Sequence, residues 1–166
     1  MRTFCTNLYF EGMNAFKIFS ISFIGLVLVL CLAAADSGDV LKVLFTEGAP
    51  SPIGPYSQGV KSGGQIYLSG QIGMLPSSGK LVAGGIKEEA RQALKNLDAV
   101  LKAGGCSSND VVKCTIYLSN MNDFAPFNEV YGEYFSSWKP ARETVGISAL
   151  PAGACVEISA IARIPR

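Results

Sequence analysis

From Ile86 to Ala103, apolar residues recur at Ala90, Ala93, Leu94, Leu97, Val100 and Leu101, with Lys, Glu, Arg and Asp between them. That three-and-four spacing predicts an amphipathic helix, ended by Gly104-Gly105. Val111–Leu118 switches to strand chemistry, with several β-branched residues and an apolar alternate face. Upstream, residues 64–70 read as a strand running into a glycine, and residues 76–79 as a turn. Downstream, Asn122 or Asp123 is placed to cap a second helix that tolerates Pro126 in its first turn. Phe124, Phe127, Tyr131, Tyr134 and Phe135 line one side of it until Pro140 blocks continuation. Two more strands, 144–149 and 155–164, are joined by the turn Pro151-Ala152-Gly153. The order β-β-α-β-α-β-β is that of an α+β domain, one sheet with both helices on one face. Its other face must then be covered, which predicts a closed homo-oligomer with a pocket between subunits.

The first 35 residues differ in kind. Residues 18–35, IFSISFIGLVLVLCLAAA, are uncharged, follow Lys17 and end in small residues before Asp36-Ser37-Gly38. With initiation at Met13 this has the parts of a secretory signal peptide, which would place the domain in the secretory pathway or outside the cell. An uncleaved anchor is the other reading, since about 18 apolar residues are at the lower limit for spanning a bilayer, and cytoplasmic or organellar residence stays open. Residues 6–12, TNLYFEG, resemble the remnant of a protease-cleavage tag. Residues 1–35 are therefore set apart as a leader, and 36–166 form one domain.

Composition removes whole classes of chemistry. The chain has no histidine, which excludes Ser-His-Asp and Cys-His nucleophile pairs, histidine zinc sites and ribonucleases with a histidine acid-base pair. Setting aside Arg2, Lys17 and Glu11 with the leader leaves twelve basic and twelve acidic residues, and a neutral domain has no electrostatic footprint for nucleic acid. Cys106, Cys114 and Cys155 are an odd number without CxxC spacing, which argues against both a disulfide framework and a zinc site. Cys114 and Cys155 lie in strand-like runs and read as small buried hydrophobes.

Two charged residues stand out against this background. Glu157 sits in the apolar run 154–162, where burying a carboxylate costs several kcal/mol unless it is paired or neutralised. Arg142, in Pro140-Ala141-Arg142-Glu143-Thr144, precedes it by fifteen residues. A guanidinium and a carboxylate on neighbouring strands suggest a pocket for an anionic substrate. Taken singly, each has a plainer reading: Arg142 solvated, Glu157 paired with Lys113, Tyr56 in the core, Asn128 on a helix surface, Gly70 in a bulge. Phe127 and Tyr131 read as packing residues.

Several segments in order carry a resemblance: Gly54-Pro55-Tyr56-Ser57-Gln58, Ser69-Gly70-Gln71-Ile72 and Gln92-Ala93-Leu94-Lys95-Asn96-Leu97. They continue with Asn122-Asp123-Phe124 followed by Asn128 and Tyr131, then Pro140-Ala141-Arg142, Leu150-Pro151, Val156-Glu157-Ile158 and Ala160-Ile161-Ala162. Over residues 45–164 the chain resembles the reactive intermediate deaminase (RidA; YjgF/YER057c/UK114) family, also called endoribonuclease L-PSP. The resemblance implies a chorismate-mutase-like single mixed sheet, a homotrimer with sites in the clefts between subunits, and cofactor-free hydrolysis of 2-imino acids to 2-keto acids and ammonia. It implies Arg142 as the clamp on the substrate carboxylate and Glu157 as the group that activates water and shuttles protons. Tyr56 would close over the substrate, Asn128 would orient water or nitrogen, Ser69-Gly70 would admit the ligand to the backbone, and Thr144 would add a bond to the carboxylate. No metal or other cofactor is implied. Gly59 and Ser159 depart from the usual alanine and acid at their positions. A ligand-binding or chaperone-like trimer without turnover, and an endoribonuclease that inhibits translation, are the competing functions.

Overall fold

The computed structural model describes residues 41–165. The leader, with its signal-peptide and anchor readings, lies outside the described residues. Six strands form one sheet: β1 (Lys42–Leu44), β2 (Gly59–Ser62), β3 (Gln65–Ile72), β4 (Val111–Leu118), β5 (Ala141–Gly146) and β6 (Val156–Arg163). Their spatial order is β1-β2-β3-β6-β4-β5. All pairs are antiparallel except β4–β5. That parallel pair needs a crossover, which α2 (Phe124–Tyr134) supplies, while α1 (Ile86–Ala103) links β3 to β4. Helix α1 packs on β3, β6 and α2, so both helices cover one face and the predicted α+β architecture is met by a mixed sheet.

Periodicity explains the core. β6 alternates between buried and half-buried positions along Val156–Arg163, the period-two pattern of a sheet with one covered face. Val156, Ile158, Ala160 and Ala162 meet Ile66, Leu68, Ile116 and Leu118 from the flanking strands under Leu94, Leu97 and Leu101 of α1. Phe127 and Phe135 close the core from α2. Helix α1 has the predicted bounds and carries Glu88 and Glu89 in its first turn, where the helix dipole favours negative charge. At its other end Cys106 N–H donates to the Leu101 carbonyl at 2.9 Å, across Gly105 at φ 82°, a left-handed position that glycine adopts without cost.

Three expectations need correction. Asp123 is the residue before α2 but makes no side-chain cap bond, and Asn122 is no cap either. The capping side chain is Asn120, whose oxygen accepts from Asn122 N–H at the start of a short 3-10 turn that leads into α2. Strand β5 spans Ala141–Gly146, earlier than the expected 144–149, because pairing with β4 fixes its register. β1 is an additional short edge strand.

The uncovered face is apolar over part of its area. Val43, Val60, Tyr67 and Ile161 stand in one row of the register across four strands, and Val43 and Tyr67 are exposed, as is Val145 on the far edge strand.

Candidate functional site

Glu157 lies opposite Ile72 on one side and Tyr117 on the other. Its side chain therefore shares the helix-free face with theirs, since directly paired residues project the same way. Next to it the ladder is irregular: Leu68 pairs with Ala160 and Gln71 with Ile158, so Ser69 and Gly70 together oppose Ser159. This is a β-bulge, which re-aims side chains beside it. Gly70 faces the Glu157 carboxylate so closely that a Cβ there would stand 1.8 Å from Oε1 and 2.6 Å from Cδ. Gly70 is thus a bulge residue whose missing side chain makes room for the acid.

Around this carboxylate is a cavity of about 340 Å³, walled by Pro50, Ile53, Tyr56, Ile72, Met74 and Pro151. Ser69 also lines it, but its hydroxyl donates to the Ser57 carbonyl at 2.6 Å, which leaves it only acceptor capacity toward a ligand. Tyr56 is half exposed, and its hydroxyl accepts from Ile53 N–H at 3.4 Å. Lys113 is not a partner of Glu157: it pairs with Glu143 at 3.1 Å. The lysine, with a bond from the Thr115 hydroxyl, holds the Glu143 carboxyl below its usual range. No hydrogen bond or ion pair engages Glu157 among the described residues, and burial raises its carboxyl above the ordinary value.

Arg142 is elsewhere. β4 lies between β5 and β6, so the expectation that Arg142 and Glu157 occupy neighbouring strands is wrong. Arg142 pairs with Cys114, whose side chain is in the core, whereas Glu157 pairs with Tyr117. Alternation along β4 puts these two positions on opposite faces of the sheet. The guanidinium stands over the Tyr131 ring at 4.7 Å and the Phe124 ring at 5.7 Å, and its Nη1 donates to Asn128 Oδ1 at 2.8 Å. Asn128 therefore serves Arg142 rather than the surroundings of Glu157. Thr144, two residues along the same face of β5, has a buried hydroxyl without a hydrogen-bond partner among the described residues. Beneath this group burial raises the Cys114 thiol and the Tyr131 phenol, so both stay protonated at neutral pH.

The expected site residues thus divide into two clusters. Glu157, Tyr56, Ser69 and Gly70 share the cavity, while Arg142, Asn128 and Thr144 share the edge strand and α2. Among the described residues no group of three or more His, Cys, Asp or Glu is placed to hold a metal ion. Sequence reasoning missed Gln58, which also lines the cavity, and missed that Tyr131 and Phe124 stack on Arg142. Tyr131 and Phe124 were legible as one side of an amphipathic helix and as members of the motif order, but not as partners of Arg142.

Comparison with known proteins identifies the family. The endoribonuclease L-PSP family model matches residues 46–164. The chain belongs to that family. Over 126 residues it is 55% identical to the 2-iminobutanoate/2-iminopropanoate deaminase of Mus musculus, covering 76% of this chain and 93% of the mouse protein. It is 54% identical over 121 residues to a RutC family protein of Pyrococcus horikoshii, covering 73% of this chain and 96% of that one. Among solved structures, E. coli TdcF with bound serine superposes with a TM-score of 0.72 at 38% identity, over 75% of this chain and 99% of TdcF.

Proposed function

We propose that this protein hydrolyses 2-imino acids to 2-keto acids and ammonia without a cofactor, at a site completed between copies of the chain. The observation that carries the reading is Glu157: a carboxylate with no partner among the described residues, facing a cavity, with space cleared for it by Gly70. Unpaired desolvated acids are costly to keep and are found where chemistry needs them. The identity to the mouse deaminase supports the substrate class.

In this reaction water adds through its oxygen to the carbon of the protonated imine, giving a carbinolamine. Glu157 accepts a proton from that water and returns it to the nitrogen. The C–N bond then breaks with its electron pair leaving on nitrogen as ammonia, Glu157 passes the hydroxyl proton of the carbinol to that ammonia, and keto acid and ammonium result. Burial, which raises this carboxyl above its ordinary value, makes it a stronger base toward that water. Arg142 presents a planar fork to the substrate carboxylate, and Thr144, two residues along the same strand, would add a bond to it. Within one chain this clamp and Glu157 lie on opposite faces, so the edge strand of one copy brings Arg142 to the Glu157 cavity of the next. A trimer with three such clefts would also cover the apolar row of Val43, Tyr67 and Ile161. The leader would direct the chain into the secretory pathway, which mass spectrometry of the native N-terminus tests.

The test of the activity uses purified full-length protein and imine freshly generated from alanine or 2-aminobutanoate. Acceleration of keto acid release over the spontaneous rate, lost in Arg142→Ala, is expected. No acceleration by the wild-type oligomer sinks the reading, and 2-keto acid binding without turnover selects a ligand-binding protein instead.

A further inference from the structure

Among the described residues, the buried amide and carboxylate side chains are Gln58, Gln71, Glu89 and Asn96, and all four tie down backbone around the same cavity. Asn96 donates to the carbonyls of Ile72 and Met74 at 3.0 and 2.8 Å. Gln71 donates to the Ser69 carbonyl at 3.3 Å. Glu89 accepts from Cys155 N–H at 2.8 Å, two residues before Glu157. Buried polar side chains cost free energy unless fully bonded, and here Gln58, Gln71 and Asn96 bond backbone of residues that line one pocket, while Glu89 bonds Cys155 between the lining residues Pro151 and Glu157.

Gln58 is the most heavily engaged. Its Oε1 accepts from Thr46 N–H at 2.7 Å. Its Nε2 faces three carbonyls, Thr46 at 3.0 Å, Ala49 at 3.2 Å and Pro50 at 2.9 Å. The partners fix the orientation of the amide, since a donor must face oxygen and carbonyls must face nitrogen. Two N–H bonds shared among three carbonyls saturate the group, and no other side chain of this size offers one acceptor and two donors. The backbone of Gln58 works in the other direction, its carbonyl accepting from Ser69 N–H at 3.1 Å. Gln58 therefore joins residues 45–58, which contain neither helix nor strand, to the bulge that holds Gly70 against Glu157. The same loop carries Pro50, Ile53 and Tyr56 into the cavity wall.

Resting on the deaminase reading for its catalytic meaning, we propose that Gln58 is a positioning residue that locks the 45–58 loop so that Tyr56 and Ile53 stand over the Glu157 carboxylate. Gln58→Met keeps the length of the side chain and removes all four bonds. Gln58→Glu keeps the acceptor and turns the donor end against three carbonyls. Both variants are expected to speed amide exchange in residues 46–56 by at least tenfold, with exchange in α1 and β6 unchanged. Each lowers kcat/KM by roughly tenfold or more, Glu more than Met. In a Tyr56→Ala background Gln58→Met is expected to cost no more than about twofold further, because its effect runs through the loop that Tyr56→Ala has already disabled. Unchanged loop exchange, exchange that rises equally throughout the chain, or fully multiplicative losses would each overturn the proposal. The exchange measurement does not depend on turnover, so an inactive wild-type protein refutes the deaminase reading and leaves the loop lock to be decided by exchange alone.

Discussion

Replacing Gly70 with alanine isolates the relation between the bulge and the carboxylate. Gly70 is not among the glycines at positive φ, so alanine can adopt its backbone, and any effect must come from space. The added Cβ would stand 1.8 Å from Glu157 Oε1, and ordinary contact begins near 3.4 Å, which forces the carboxylate to move by about 1.6 Å. Glu157 Cδ at 2.6 Å and Cγ at 2.8 Å must yield with Oε1, so the whole side chain turns rather than its tip alone, and the stability cost is that of an off-rotamer glutamate, about 0.5–1.5 kcal/mol. A displacement of this size at a reacting group is worth about 10²-fold in rate. Gly70→Ala should therefore lower kcat/KM about 10²-fold while Tm falls only a few degrees. Gly132→Ala, which meets nothing within 4 Å in α2, is the control: it should leave activity unchanged and, because alanine is favoured over glycine in a helix by about 0.5–1 kcal/mol, raise Tm by a few degrees. Steady-state hydrolysis of freshly generated 2-iminobutanoate, alongside calorimetric melting, reads both quantities. If Gly70→Ala retains activity within about threefold of wild type, the acid does not work from the position described.

Other variants probe the two clusters separately. Glu157→Gln should raise Tm near neutral pH, because burial lifts the native carboxyl above its ordinary 4.5. The native state then holds a proton that the unfolded chain has released, so stability falls as pH rises from 4.5 through the raised value. Calorimetric melts across pH should show the advantage of the variant fading below that window, and equal melting temperatures at neutral pH would contradict it. Asn128→Leu removes the acceptor on Arg142 and should raise KM about tenfold with a smaller change in kcat, measured by initial rates. Cys155, whose thiol is pushed up to about 11 first by burial and then by Glu89, should resist alkylation at neutral pH and react only in strong alkali, as followed by peptide mapping.

The parts of this fold that sequence reveals are those decided locally. Helix α1 and strand β4 are legible residue by residue, because their apolar periods are uninterrupted and Gly104-Gly105 is a strong stop. β5 is not: it is an edge strand with exposed residues on both faces, so no alternation marks it and its bounds follow only from pairing with β4. The same non-local pairing hides the largest error, since nothing in residues 140–162 shows that β4 inserts between Arg142 and Glu157. Arg142, Glu157, Asn128 and Tyr56 were legible as candidates from motif order. Their division into two clusters was not, because it depends on which face each strand turns to the helices. Gln58 was visible inside Gly54-Pro55-Tyr56-Ser57-Gln58, yet its four bonds reach backbone eight to twelve residues away, a relation that composition cannot express.

The central claim, that Arg142 of one copy serves Glu157 of another, can be tested by complementation. Arg142→Ala and Glu157→Gln are each expected to be inactive as pure proteins. Unfolded together in equal amounts and refolded, random mixing would give about a quarter of the clefts both functional residues, and hydrolysis should return to about a quarter of the wild-type rate. A mixture that assembles into oligomers but stays as inactive as its components would place both residues' work within a single chain and contradict the account.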